Sequence, residues 1–493
     1  MSDREALKPA SWRPPAGAYW TGVWRDTDQA LTVRDPQTGD VVGVVGDAGR
    51  AEIDAAVRDV ADEIRHGAAW PVWQRAEALA ASADCVIENG DLLAGLISAE
   101  GSKTIREARA EVGRAAETLR LCSAAGAQLA GQTLVLDGSP RGEGRFGWYT
   151  REPVGVVAAI TPFNDPLNLV AHKIGPALMA GNGVVLKPAE QTPLTALALT
   201  GILLRCGVPA RRIATLAGQG SGAGEALVRH PLVDLVSFTG GWRTGTRVAE
   251  AAGAKKIVME LGGNGVVIVL PDADIVDAAA AIVSGAFGAA GQNCLSVQRV
   301  FAHHAIADEL LERVLKETRE LQVGDKRDPL TDIGPLISVQ EAERVASWVA
   351  EATAAGARAE VGAEREGAFY APTVLTGVPH DAKVFTEEVF GPVACIETFT
   401  DLDAVLRLVD EDPFGLHAGV FTQDIDAALD VADRLRVGGV MINDTGDFRV
   451  DAMPFGGPKR SGVGREGVSV AIEAMTEPKV VIVRRRAHQA AAS

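Results

Sequence analysis

The feature that most limits what this chain can fold into is a rhythm. From about Val154 it alternates short β-branched apolar runs with longer Ala- and Leu-rich segments of helical period. A strand buried on both faces reads as continuous apolar sequence, and two such strands lying parallel need a crossover long enough to hold a helix. The alternation therefore predicts βαβ units and a parallel sheet. Residues 154–160 read as a buried strand, 167–180 as a helix stopped by Gly181-Asn182-Gly183, and 184–186 as the next strand. The cycle repeats at 192–206, 213–216, 223–229 and 235–238. A second series starts after Glu260, with strands at 266–270 and 297–301, helices at 275–289 and 305–321, and further alternation up to 440–442. Two α/β units follow, with a ligand cleft expected between them. Residues 1–130 read as mostly helical, wrapping the first unit. Residues 132–152 break the rhythm: they are Gly-rich and polar, with Phe146, Trp148 and Tyr149 near the end. The absence of an internal repeat or low-complexity linker favours interlocked units over beads on a string.

At 493 residues the chain exceeds one core, and roughly 150 residues per domain suggests about three structural units. Its 48 Lys+Arg against 65 Asp+Glu leave a net charge of −17, which disfavours nucleic acid as a partner. The one cationic cluster, Arg484-Arg485-Arg486, precedes an Ala-rich tail at 487–493 that is expected to fray in solvent. Cys85, Cys122, Cys206, Cys294 and Cys395 show no CxxC or His-rich spacing, so neither a metal site nor a disulfide framework is expected. No apolar signal core follows the first residues, and no run reaches the roughly 18 apolar residues of a membrane span. A cytoplasmic protein with no membrane partner is the expectation.

Gly291-Gln292-Asn293-Cys294 sets a thiol among small and amide residues, where an open turn can expose a thiolate to backbone N–H groups. The other four cysteines read as small buried hydrophobes. Glu260 ends a β-branched run ahead of Leu261-Gly262-Gly263-Asn264. It reads either as a strand-end carboxylate facing solvent or as a general base, since paired glycines let the backbone pass close to a ligand. Asn164 follows the strand at 154–160 at its switch into a helix, where open α/β sheets bind ligands. Asp165-Pro166 suits the cap and first position of that helix, which leaves the Asn164 amide free to meet a developing oxyanion. Lys187-Pro188-Ala189-Glu190 is either a solvated charge pair or a clamp on ribose. Gly218-Gln219-Gly220-Ser221-Gly222-Ala223 is a partial GxGxxA pattern, and Phe238-Thr239-Gly240-Gly241 opens a helix whose N-terminus can face a pyrophosphate.

Together with Ala159-Ile160-Thr161-Pro162-Phe163-Asn164 and Glu387-Glu388-Val389-Phe390-Gly391-Pro392, these motifs resemble the aldehyde dehydrogenase superfamily over about residues 36–482. The resemblance implies an α/β fold: a Rossmann-like NAD-binding domain at 1–130 and 153–259 and a second α/β catalytic domain at 260–460. It also implies a β arm at 131–152 and 477–486 that joins subunits into a homodimer or homotetramer. Cys294 becomes the nucleophile, Glu260 the base that activates water against a thioester, and Asn164 with the Cys294 N–H the oxyanion hole. Lys173 gains a supporting electrostatic role near the base. Ile160, Thr161, Pro162, Phe163, Gly220, Phe238, Gly240, Gly241 and Leu261 become cofactor-lining residues. Lys187 and Glu190 would hold the adenosine ribose, an acidic pairing that favours NAD over NADP, while Glu388 and Phe390 would hold the nicotinamide ribose and ring. The chain departs from the pattern after Gly240, where Gly241 and the bulky Trp242 replace a serine and remove one hydroxyl contact to phosphate.

The segments Glu111-Val112-Gly113-Arg114 and Asp447-Phe448-Arg449-Val450-Asp451 resemble the phosphonoacetaldehyde, lactaldehyde and non-phosphorylating glyceraldehyde-3-phosphate dehydrogenase branch. On the helix after Asn164, Asp165, Asn168 and His172 stand where broad aliphatic-aldehyde enzymes are apolar, so a small polar aldehyde is expected there. Asn293, Leu295 and Phe455 complete the expected pocket. Arg114 and Arg449 either grip a substrate anion or are structural, paired with neighbours such as Glu111 and Asp451. Asn293 stands where phosphate-handling relatives carry Arg, which counts against a dianion. The expected reaction is NAD-dependent oxidation of a small polar, in the sharper form anionic, aldehyde to its acid. A coenzyme-A-acylating enzyme has no use for Glu260, a reductase running from acyl donor to aldehyde differs only in physiology, and a non-catalytic binding protein has no use for thiol, base and amide together.

Overall fold

The structure is a computed structural model that describes residues 17–485; the expected tail at 487–493 lies outside them. Two large sheets dominate the described residues. The first runs in the order Val23–Arg25, Ala18–Trp20, Ile213–Thr215, Gly183–Lys187, Val156–Ile160, Leu235–Thr239, Lys256–Glu260, Gly462–Val463. Its strands from Ile213–Thr215 to Lys256–Glu260 are parallel, and the outer ones antiparallel. The parallel set starts in the middle at Val156–Ile160, moves outward to Ile213–Thr215, and then crosses back to Leu235–Thr239 on the other flank. That reversal leaves a crevice beyond the carboxyl ends of Val156–Ile160 and Leu235–Thr239. Every residue of Val156–Ile160 and Gly183–Lys187 is buried, which accounts for their unbroken apolar sequence.

The second sheet runs Arg358–Val361, Thr373–Thr376, Val393–Phe399, Val297–His303, Gly265–Val269, His417–Phe421, Gly439–Ile442 and is parallel except at Arg358–Val361. Ile282, Phe287, Val300, Phe301 and Phe421 are among the side chains packed in its core. The Gly-rich segment forms an antiparallel sheet from Gln132–Leu134, Arg145–Pro153 and Thr476–Arg484, with Val481 opposite Trp148. No helix among the described residues is long and apolar enough to cross a membrane.

The chain before 130 is mostly helical as read, in helices Arg50–His66, Val72–Glu88, Gly90–Glu100 and Ile105–Ala124, but strands Ala18–Trp20, Val23–Arg25, Gln29–Arg34 and Val41–Asp47 precede them. The first two are three residues long, too short to display a period. Two sequence expectations are corrected. Gly220–Gly224 forms a wide π turn, so the following helix starts at Glu225. Asp165 does not cap the helix Asn168–Ala180, which has no cap from its own first turn. A carboxylate from elsewhere does that work: Glu111 Oε1 accepts from the N–H groups of Leu167 at 2.8 Å and Asn168 at 3.0 Å. The far end behaves as read, with Gly181 left-handed at φ 93°.

Candidate active site

One cavity of about 990 Å³ runs from Lys187 and Glu190, at the edge of the first sheet, to Cys294. The thiol arrives there on a contorted turn. Helix Ile275–Phe287 ends, Ala289 and Ala290 take left-handed φ values of 52° and 53°, and Gly291 follows at 69°. Left-handed non-glycine residues cost about 1–2 kcal/mol each, so the turn needs support. Glu107 supplies it by accepting the Ala289 N–H at 2.7 Å. Only glycine fits at 291, because a Cβ there would lie 2.2 Å from the Gly391 carbonyl oxygen. The Cys294 thiol rests against an apolar floor of Leu295, Leu416 and Phe455. Asn293 Oδ1 accepts from the Leu295 N–H at 3.2 Å and lies 3.8 Å from Cys294 Sγ, while its amide donates to Asp447. Burial, then the nearby Glu388, pushes the thiol well above the ordinary range, and Arg449 pulls the other way. The resting group is therefore a neutral thiol.

Asn164 shares the cavity wall with Cys294. So do Ile160, Thr161, Pro162, Phe163, Lys187, Glu190, Gly220, Phe238, Gly240, Gly241, Leu261, Glu388 and Phe390. These residues suit an extended dinucleotide. The Thr161 hydroxyl is buried with no partner, a Cβ on Gly241 would meet open space, and a Cβ on Gly245 would strike Leu261 at 2.5 Å. Glu190 Oε1 accepts from the Gly220 N–H at 2.6 Å and sits 3.3 Å from Lys187 Nζ, which joins a strand end to the Gly-rich turn. At the other end Glu388 accepts from the Gly263 N–H at 3.0 Å, and burial raises its carboxyl to about 7. A Cβ on Gly262 would lie 2.4 Å from Glu388 Oε2, so Gly262 lets this carboxylate in, while a Cβ on Gly263 would lie 2.2 Å from the Cys294 carbonyl oxygen. Phe163 and Phe390 meet edge to face at 5.7 Å. Trp242 points elsewhere, its ring covered by Arg460 at 4.3 Å.

Glu260 and Lys173 do not reach the cavity wall. They lie beneath it in a buried charge cluster, where Lys173 Nζ contacts Glu466 Oε1 at 2.8 Å and Glu260 Oε1 accepts the Glu466 N–H at 3.3 Å. Glu260 Oε2 is buried without a partner, and a Cβ on Gly456 would lie 2.5 Å from Oε1. Burial and the like charge of Glu466 raise Glu260 well above the carboxylate range. Burial opposes ionisation of Glu466 too, yet Lys173 and Arg449 hold it low. At rest the pair carries one charge, on Glu466, and Glu260 keeps its proton.

The substrate end corrects the sequence reading. Asp165 and Leu169 line the cavity, but Asn168 and His172 are fully buried behind it. Asp165 lies in the turn before the helix, and from Asn168 to Ala180 every helix residue is buried, so the helix meets the cavity only at Leu169. Asn168 and His172 instead hold Asp451 Oδ1, at 3.2 Å and 2.8 Å, and Asp451 in turn takes Arg114 Nη2 at 3.1 Å. Glu111 is not the Arg114 partner; it takes Lys103 Nζ at 2.8 Å, and Lys103 also contacts Asp165. Arg114 keeps 36% of its side chain exposed and lines the cavity, so its ion pair with Asp451 positions a guanidinium without closing it off. Arg449 lines the same wall, stacked 3.8 Å over Phe455, with Glu466 Oε2 at 3.6 Å.

Lys103, Glu107 and Glu466 were not singled out by sequence reasoning. Thr104 three residues before Glu107 is a capping-box signal, and the box forms. That signal explains one carboxylate oxygen and hides the other, which reaches Ala289 across 182 positions. Lys103 and Glu466 carry no local signal, since the partners of Lys103 lie 8 and 62 positions away and Lys173 lies 293 positions from Glu466.

Comparison with known proteins agrees with this geometry. The model of the aldehyde dehydrogenase family matches residues 24–481. A 3-sulfolactaldehyde dehydrogenase of Priestia aryabhattai is 41% identical over 467 residues, covering 95% of this chain and 98% of that one. Aspartate-semialdehyde dehydrogenase 1 of Pseudomonas canavaninivorans is 43% identical over 451 residues, covering 92% and 96%. The crystal structure of an NADP-dependent glyceraldehyde-3-phosphate dehydrogenase from Bacillus halodurans, complexed with NADP, superposes with a TM-score of 0.93 at 35% identity, covering 96% and 99%. A thiol on a strained turn, an amide at the switch point of a parallel sheet and a dinucleotide-shaped cavity between them are what this relationship requires: the chain belongs to the aldehyde dehydrogenase family and is an NAD(P)-dependent oxidoreductase.

Proposed function

We propose that the protein oxidises a small anionic aldehyde to its carboxylic acid with NAD, through Cys294. The observation that carries the reading is the single cavity that holds a dinucleotide cradle, Asn164, Cys294 and the exposed guanidinium of Arg114. Cys294, once deprotonated, forms a bond to the carbonyl carbon, and the Asn164 amide and Cys294 N–H hold the oxyanion. Glu388 and Phe390 would hold the nicotinamide half of the cofactor, which would supply the hydride acceptor. Glu260 loses its proton to solvent as it turns out of its contact with Glu466, and the carboxylate then takes a proton from water, which cleaves the resulting thioester to release acid and thiolate. The carboxylate of Glu190 in the adenosine half favours NAD over the 2′-phosphate of NADP. Lys103, Arg114 and Arg449 give the substrate end its cationic side, and relatives named for sulfolactaldehyde and aspartate semialdehyde act on anions of this size. Steady turnover of sulfolactaldehyde, succinic semialdehyde, lactaldehyde and hexanal, followed at the reduced-nicotinamide absorbance, tests the reading. A best rate with hexanal would overturn the anionic part.

The acylating alternative fares worse, because Glu260 is retained and buried beside the cleft where only hydrolysis uses it. The three-stranded sheet exposes apolar side chains on both faces, Phe146 and Val483 on one and Val480 and Ile482 on the other, surface suited to pairing subunits in a homodimer or homotetramer. The cytoplasm, where thiols stay reduced, is the compartment that fits the five free cysteines.

A further inference from the structure

Far from the thiol that does the chemistry, two other cysteines meet. Cys85 lies on helix Val72–Glu88, and Cys206 forms the C-cap of helix Pro193–Arg205. Their sulfurs are 3.3 Å apart although 121 positions separate them. Both are half-buried, so the pair faces a boundary that solvent reaches, whereas Cys122 and Cys395 are sealed in cores. A pair of apolar fillers would not need this arrangement: the Cys206 S–H donates to the Cys85 sulfur, so the two thiols are aligned donor to acceptor. The charge of Arg205 is felt by both sulfurs.

We propose that Cys85 and Cys206 form a dithiol site that closes to an intramolecular disulfide when the protein meets a two-electron oxidant of the peroxide class. Burial, then the hydrogen bond to Cys85, pushes the Cys206 thiol up to about 12, and the donor-to-acceptor alignment makes Cys85, the acceptor, the attacking sulfur. The Cys85 thiolate attacks the peroxide O–O bond, gaining one oxygen as a sulfenic acid and releasing water or alcohol. The Cys206 thiolate then displaces hydroxide from that sulfur. The S–S bond forms, the S–O bond breaks, two thiols are oxidised by two electrons and the peroxide is reduced. Closure needs the sulfurs to move from 3.3 Å to about 2.05 Å, a side-chain adjustment between helices that already touch. The staple would tie helices Val72–Glu88 and Pro193–Arg205 to each other, outside the lining of the cavity that holds Cys294, and a thiol reductant would reopen it.

The test treats the folded wild-type protein with graded hydrogen peroxide, blocks free thiols, digests without reductant and maps the peptides by mass. The expected result is a Cys85–Cys206 linked peptide, two hydrogens lighter than the sum of its parts, that disappears with dithiothreitol. It should be absent from Cys85→Ser and Cys206→Ser and from peroxide-treated protein unfolded in urea. Finding both cysteines reduced at a dose that oxidises half of Cys294, or finding each separately over-oxidised, would overturn the proposal. So would a linked peptide that runs as a dimer on a non-reducing gel.

Discussion

The two ends of the cavity are built by opposite means. The dinucleotide end is made of strand termini and glycines, with charged side chains such as Lys187, Glu190 and Glu388 set around a shape carried mostly by backbone: Val156–Ile160 and Leu235–Thr239 end there, and Gly220, Gly240 and Gly241 keep it open. The substrate end is made of side chains, a chain of buried or half-buried charges from Lys103 through Asp165, Arg114 and Asp451 to His172, Arg449 and Glu466. Backbone cradles recognise what dinucleotides share. Ion-pair lattices can be retuned one residue at a time, so the difference separates the invariant half of the reaction from the selectable half.

The comparison can be tested hardest at the point where the halves meet. Cys294→Ser should lower aldehyde oxidation by about a thousandfold or more while nicotinamide binding, read by fluorescence titration, stays within severalfold. Loss of binding as well would mean that the two ends are not separable. Glu260→Gln should retain a single-turnover burst of reduced nicotinamide but lose about a hundredfold or more in steady rate. The same group sets a pH signature. Its raised pKa keeps it protonated above the ordinary carboxylate range, so the steady rate should climb with rising pH along a limb that the Gln variant lacks. A limb at the usual carboxylate position would show that Glu260 is not the group being titrated.

Smaller effects should divide by end. Arg114→Ala should cost about tenfold or more in kcat/KM for anionic aldehydes and leave hexanal unchanged, in line with about 1.5–3 kcal/mol for a charged hydrogen bond. An equal loss for both substrates would make Arg114 a support for Asp451 alone. Glu190→Gln should change only cofactor choice, reducing the preference for NAD over NADP by roughly tenfold with aldehyde selectivity intact. Glu190 is partly exposed, so added salt should shrink that effect.

The same division decides what could be read in advance. The parallel strands, the switch point at Asn164, the Gly-rich turn and the thiol segment all carry local signatures, because period and glycine placement act over a few residues. The charged end carries none. Asn168 and His172 read as pocket residues because a polar side chain on a functional helix invites that reading, and only the packing of Asp451 shows which face they serve. Asp165 fits the pattern of a helix cap, but Lys103 claims its carboxylate and Glu111 takes the cap. In each case a partner far away in sequence outbid a local rule. Composition set 132–152 apart from the α/β rhythm and the family resemblance made it an arm, whereas the edge strands at 18–25 were too short to be legible.

One bond described earlier has a mechanical meaning. The turn that carries Cys294 follows a helix packed on the second sheet, yet its strained Ala289 is tied to Glu107, on a helix packed against the first. The thiol is thus aimed by a guy-rope anchored across the cleft. If the units part, the rope slackens, Ala289 and Ala290 are free to unwind toward ordinary angles, and Cys294 loses its bearing. Reactivity of the thiol is then a gauge of interdomain closure, tight when the halves are seated and slack when they are not.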